Sequence, residues 1–279
     1  MDRRFALVGM ALIAGMASVP AEAQTLPDKY RESGKIIIGT TPNYPPVTFR
    51  DPQSDQLTGY DIDIGNAIGA KLGLKVEWQE ISFEQMVSAA STGRIDLILG
   101  GMNDLPARRE SLDFVDYMKT SIQYFVQHSR TAEFKQATDL CGKSIGASRR
   151  TDFPHQIELW SGEHCVKAGL APIKIVGTEG SADARAQLRQ GRIDAGAQGS
   201  ESLPYLMKLD PETYSLIGEP FATVFQGIGL SKNNPALRGA VAAAFAATIA
   251  DGTYQKIVEK YGVPRNAVTE VTVNGEPLH

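Results

Sequence analysis

Short apolar strands alternate with amphipathic helices along this chain, and the alternation occurs twice. Lys35–Gly39 is an apolar strand, a helix runs from Asp61 to Leu72, and Lys75–Glu80 is the next strand. Phe83, Met86, Val87 and Ala90 mark a second helix, which Gly93 ends. Ile95–Leu99 follows as a strand too apolar to be half exposed, and so a central parallel strand. The pattern restarts with a strand at Ser144–Ala147 and a helix after Thr151. A strand at Ile173–Val176, a helix over Ala182–Gln190 and a strand at Ile193–Gln198 complete it. Such alternation requires an α/β architecture. One internal echo supports two similar lobes. Gly93-Arg94-Ile95-Asp96 and Gly191-Arg192-Ile193-Asp194 occupy the same place, and each following strand runs into glycine, at Gly100-Gly101 and Gly199. Phe225–Leu230 is a further strand. A long helix after Pro235 carries Leu237, Val241, Ala244, Phe245 and Ile249 on one face.

The N-terminus reads as a leader. Arg3 and Arg4 precede an apolar stretch from Phe5 to Val19, and Ala21-Glu22-Ala23 is a small-x-small cleavage site. The expected signal peptide is 1–23. The apolar run falls short of the roughly 20 residues that span a bilayer. No cysteine near the cleavage site offers a lipid anchor, so an exported, periplasmic chain is expected. A net charge of -4 without a basic block argues against nucleic acid as a partner. The two cysteines, Cys141 and Cys165, are expected to bond in an oxidising compartment. Closing a loop of about 25 residues stabilises by roughly 3 kcal/mol in the chain-entropy model. They cannot form a structural zinc site, and no histidine is spaced to help, so no metal is expected. Gly142-Lys143-Ser144 mimics the end of a phosphate-binding loop, but Ala137 stands where its first glycine is required.

The helix from Asp61 carries the most specific pattern. Ile64, Ile68 and Leu72 share one face, Asp61 can cap the start, and Gly73 can stop the helix in a left-handed cap. The order Gly59-Tyr60-Asp61-Ile62-Asp63-Ile64, with Ile68-Gly69 and Leu72, resembles the signature of the family 3 periplasmic solute-binding proteins. These serve ABC importers of polar amino acids. The segment Asp251-Gly252-Thr253-Tyr254 leading to Lys260-Tyr261-Gly262 also looks like the family, so the resemblance spans Lys35 to Gly262. It implies a two-lobed type II binding-protein fold, each lobe a mainly parallel sheet flanked by helices, joined by two crossing hinge strands. Lobe 1 would comprise 28–117 and 228–264, and lobe 2 would comprise 123–222. Hinges are expected near Thr120–Gln127 and Gly218–Phe225. The tail 265–279 lies outside the resemblance and has no assigned role. The implied protein is a monomer without a cofactor that binds a small carboxylate-bearing or amino-acid-like solute and docks on an inner-membrane ABC permease.

Ligands of open α/β sheets bind beyond the carboxyl ends of strands, which directs attention to the loops there. Tyr44 and Phe83 lie at positions where the family packs aromatics on either side of the ligand; residues alone also allow both in the core. Gly100-Gly101-Met102-Asn103-Asp104-Leu105-Pro106-Ala107-Arg108 resembles the segment that holds the ligand's α-carboxylate. Glycines let backbone N–H groups approach an anion, and arginine grips a carboxylate bidentately. The register selects Arg108 over Arg109. Asn103 stands where the family usually has Thr. In lobe 2, Ser148, Arg150 and Thr151 fall in a loop that opens a helix, a natural anion site. Arg149 and Arg150 either strengthen acid binding or sit outside the site.

Gln198 and Gly199 end the last strand of lobe 2. Amino-acid binders of the family usually place an Asp at the position of Gly199, where it pairs with the α-ammonium. A buried ammonium without a counter-charge is costly. Either Glu201 or Asp104 replaces that Asp, or the ligand has no α-ammonium. From the sequence, the second reading is preferred, with an organic acid or modified amino acid as solute. The competing class is an enzyme resembling cyclohexadienyl dehydratases, with Glu201 or Glu179 as acid. No Gly-x-Ser-x-Gly or His-Glu-x-x-His motif appears, and no catalytic residue is assigned.

Overall fold

Two long strands, Leu112–Gln127 and Tyr214–Ser231, run antiparallel to each other and organise the molecule. The computed structural model describes residues 26–277, so the expected leader lies outside the described residues. Nearly every residue of Leu112–Gln127 is buried, as a strand covered on both faces must be. On one side the sheet continues through Leu97–Ile98, Lys35–Thr40 and Lys75–Glu80, and on the other through Ala195–Gly199, Ser144–Ser148 and Lys174–Thr178. The pairs outside the crossing strands are parallel within each half.

Each half has its own core. In the first lobe Ile36, Ile38, Ile64, Val241 and Phe245 pack together, and in the second Tyr124, Ile145, Leu140 and Ile157 do so. The strand expected over Ile95–Leu99 is shorter, Leu97–Ile98, because only that stretch lies between two partners. The segment after 264 belongs to the first lobe. Ala267–Val273 pairs antiparallel with Leu112–Gln127, and Val268 and Val271 enter the first core. Its turn is tied down by polar groups. Asn274 accepts the Phe114 N–H at 2.9 Å, while Asp116 accepts Thr272 Oγ1 at 2.7 Å and the Gly275 N–H at 2.9 Å. The Cys141–Cys165 disulfide forms in the second lobe, with Cα atoms 5.6 Å apart.

The crossing pair is irregular in the middle. Its register shifts between Ile217 and Phe221, between Phe221 and Val224, and between Gln226 and Gly227. Gly218 (φ 67°) and Ala222 (φ 50°) both lie in the left-handed region. Such bulges bend and twist a strand locally.

The sequence echo is a repeated piece of carpentry. Asp96 donates its N–H to Ile37 O at 2.8 Å and accepts the Ile37 N–H on Oδ2 at 2.8 Å. Asp194 does the same to Ser144, at 2.9 Å in both directions. The isoleucine before each Asp lies over a strand glycine. A Cβ on Gly39 would stand 2.5 Å from Ile95, and one on Gly146 would stand 2.4 Å from Ile193. Asp96 also accepts Tyr30 Oη at 2.9 Å in a buried setting. Asp96→Ala should therefore strand two donors and destabilise by about 2–3 kcal/mol in urea unfolding. Asp194→Ala, at a more exposed site, should lose less.

Candidate functional site

The helix of the signature spans Tyr60–Leu72, with Gly59 as its N-cap and Gly73 (φ 69°) as its left-handed C-cap. Asp61 is not the cap. It sits inside the first turn, fully buried, and its Oδ2 accepts the Gly101 N–H at 2.9 Å. Tyr60 Oη donates to Gln226 Oε1 at 2.9 Å. These two neighbours thus reach both the glycine loop and the second crossing strand. Burial pushes Asp61 up to about 7, against the hydrogen bond from Gly101.

A cavity lies between the lobes. Tyr44, Phe83, Gly100, Gly101, Asn103 and Arg108 line it from the first lobe, and Ser148, Arg150 and Thr151 from the second. Arg108 is mostly buried. Its Nη1 donates to Asn103 O at 2.7 Å, and its guanidinium lies 5.6 Å from the centre of the Phe83 ring. Burial lowers its pKa from the ordinary value, yet an arginine stays charged. Arg109 faces elsewhere and grips Asp104 with two nitrogens, at 2.6 and 2.8 Å. Asp104 is thereby engaged and does not line the cavity. Asn103 Nδ2 donates across the cleft to Asp152 at 3.1 Å.

Glu201 is the carboxylate the cavity does contain. It is fully buried and follows the strand Ala195–Gly199 by two residues. Tyr44 Oη and Gln226 Nε2 donate to its Oε1 at 2.8 and 2.9 Å, and Thr120 Oγ1 donates to its Oε2. Burial raises its pKa, while these hydrogen bonds oppose the rise. Burial and the charge of Glu201 hold the Tyr44 phenol well above its ordinary value, so Tyr44 remains a donor. A Cβ on Gly199 would stand 2.3 Å from both Glu201 Oε1 and Tyr44 Oη. Glu201 therefore occupies the space that a side chain at 199 would need.

Two expected site residues lie elsewhere. Gln198 does not line the cavity: its Oε1 accepts from Arg185 at 2.8 Å and its Nε2 donates to Ser202. Gly199 stands behind Glu201. Arg150 does line the cavity, but it is ion-paired with Glu84 of the first lobe and, at 2.9 Å, with Glu179. Thr120 and Gln226 were missed as lining residues. Both are about 1% exposed, and the crossing strands carry several other polar residues, so the sequence does not single them out.

A sequence profile described as "Bacterial extracellular solute-binding proteins, family 3" matches residues 36–264. The chain belongs to this family. Among family 3 relatives, the arginine-binding protein ArgT of Corynebacterium glutamicum is 26% identical over 261 residues. That alignment covers 94% of this chain and 85% of ArgT. The L-cystine-binding protein TcyJ of Escherichia coli is 27% identical over 262 residues, covering 92% of this chain and 95% of TcyJ. The crystal structure of AncCDT-1 is described as an ancestral amino acid-binding protein and precursor of cyclohexadienyl dehydratase. It superposes with a TM-score of 0.72 at 28% identity, over 84% of this chain and 98% of that one. The fold is thus the two-lobed type II fold, and this family 3 member is a solute-binding protein. Among the described residues no helix is long and apolar enough to cross a membrane.

The raised Asp61 has a consequence for pH. Its contribution to stability is fully present below its ordinary pKa of 3.8 and is lost as pH rises to about 7. Asp61→Asn keeps an acceptor for Gly101 but removes the titration. Its melting temperature should fall less than the wild type's between pH 4 and pH 7 in thermal scans.

Proposed function

We propose that this family 3 protein captures an α-amino acid as its zwitterion and delivers it to an inner-membrane ABC permease. On this reading Arg108 takes the α-carboxylate beside the Gly100–Gly101 loop, whose Gly101 N–H is held by Asp61, and Glu201 takes the α-ammonium. Tyr44 and Phe83 flank the ligand, with Asn103, Ser148 and Thr151 adding polar contacts. The leader 1–23 would direct the chain to the periplasm and be removed there. The lobes would close by bending at the bulges near Gly218–Phe225, opposite Thr120–Gln127.

The observation that carries the reading is the state of Glu201. A fully buried carboxylate is costly unless a cation pairs with it. The donors that reach Glu201, from Tyr44, Thr120 and Gln226, are all neutral. A ligand ammonium supplies the counter-charge that these donors do not. This favours the amino acid over the organic acid that Gly199 suggests in the sequence. The names of ArgT and TcyJ, which are binders of amino acids, agree with it.

Binding is favoured over dehydration by the same geometry. A general acid must carry a proton towards the leaving group. Three donors converge on the Glu201 carboxylate and oppose the protonation that burial favours. Incubation with prephenate or arogenate should give no turnover.

Calorimetry with L-amino acids and their des-amino counterparts tests the reading. The wild type should bind the amino acids far more tightly. Glu201→Gln should weaken amino-acid binding by about 30- to 1,000-fold, the scale for losing one partner of a buried charge pair. Arg108→Met should weaken both ligand series. Equal or tighter binding of des-amino acids by the wild type would overturn the assignment of Glu201.

A further inference from the structure

The cavity also contains a charge cluster that the capture of a zwitterion does not use. Glu84 opens the helix Phe83–Ser91 of the first lobe, whereas Arg150 and Glu179 follow two strands of the second, and all three line the cavity. Arg150 bridges the cleft. One nitrogen pairs with Glu84 Oε1, and the other lies 2.9 Å from Glu179 Oε2. The remaining oxygen of Glu179 pairs with Arg149. Two arginines and two glutamates therefore balance.

We infer that Arg150 determines specificity by filling the cationic position between Glu84 and Glu179, so that the site selects amino acids with uncharged polar side chains. The inference rests on the zwitterion reading and deepens it. A ligand guanidinium or ammonium finds its two carboxylates already neutralised, and must break a cross-cleft ion pair to reach them. A ligand carboxylate meets an Arg150 already paired with Glu84 and Glu179. A neutral amide or hydroxyl meets a balanced polar end and leaves the bridge intact. The bridge joins the lobes, so a ligand that breaks it also removes a contact of the closed form.

Calorimetric titration of the mature protein with glutamine, arginine and glutamate tests this. Glutamine should bind at least tenfold more tightly than either charged ligand. Arg150→Ala releases Glu84 and Glu179, and should raise the affinity for arginine at least tenfold. Adding Glu84→Gln to that variant should abolish most of the gain. Arg150→Lys retains the charge and should keep the preference for glutamine. Arg150 is partly exposed, at 39% of its side chain, so these variants should melt close to the wild type. A wild type that prefers arginine or glutamate, or an Arg150→Ala variant that gains nothing for arginine, overturns the inference while the zwitterion reading stands. A wild type that binds des-amino acids and no α-amino acid overturns both.

Discussion

The buried carboxylate of Glu201 is the constraint around which the rest of the site is arranged. A charge cannot be buried without donors, and each donor here comes from a different element. Tyr44 comes from the first lobe, Thr120 from one crossing strand and Gln226 from the other. Gln226 is itself oriented by Tyr60 of the signature helix. The next residue, Asp61, holds the Gly101 N–H in the Gly100–Gly101 loop. On the zwitterion reading, one helix start positions both halves of the site. That gives physical content to the aromatic-acid pair in the signature. It supports a loop and a crossing strand at once, and it does so from a buried position where no solvent competes.

The architecture explains why these groups can meet. The two crossing strands belong to both lobes, so residues near their middle face the cleft from either side. Bulges at Gly218–Val224 interrupt the ladder beside that cleft. An interrupted ladder bends more readily than a regular one. The regular ladders on each side keep the lobes rigid, and the repeated Asp96 and Asp194 anchors tie each helix end to its neighbouring strand.

Much of this was legible in the sequence because it depends on local pattern. Periodicity located the helices, and the Gly-Arg-Ile-Asp echo located equivalent corners of two lobes. Arg108 was chosen over Arg109 by the family resemblance, and in the structure Arg108 lines the cavity while Arg109 pairs with Asp104. What was not legible depends on contacts between distant residues. Asp61 has the composition of a helix cap, and only the proximity of Gly101 reveals its different task. Gly199 reads as the loss of a charge. The three-dimensional spacing shows that Glu201, two residues later, fills the same volume. Arg150 reads as an added anion-binding group until Glu84, on the other lobe, is seen to neutralise it. Gln198, a polar residue at a strand end, is consumed by Arg185 and Ser202. Counting along the chain fixes position within an element, but the carboxylate that serves a site can come from a neighbouring position if the backbone turns.

Glu201 also gives closure a thermodynamic logic. Polar contacts that join the lobes are Tyr44 with Glu201, Asn103 with Asp152, and Arg150 with Glu84, beside one aromatic contact, Phe49 with Tyr205 at 5.6 Å between ring centres. Contacts of this kind exchange protein partners for water and so contribute modestly to the closed form. Closing the cleft without a ligand buries the Glu201 charge among neutral donors only, which opposes closure. On the zwitterion reading, an arriving α-ammonium cancels that penalty in the closed form alone. A ligand shifts a conformational equilibrium only by its differential affinity for the two states. The ammonium supplies that difference at Glu201, while the carboxylate can bind Arg108 on one lobe in either state. The two ends of the same ligand then do separate work, one for capture and the other for closure.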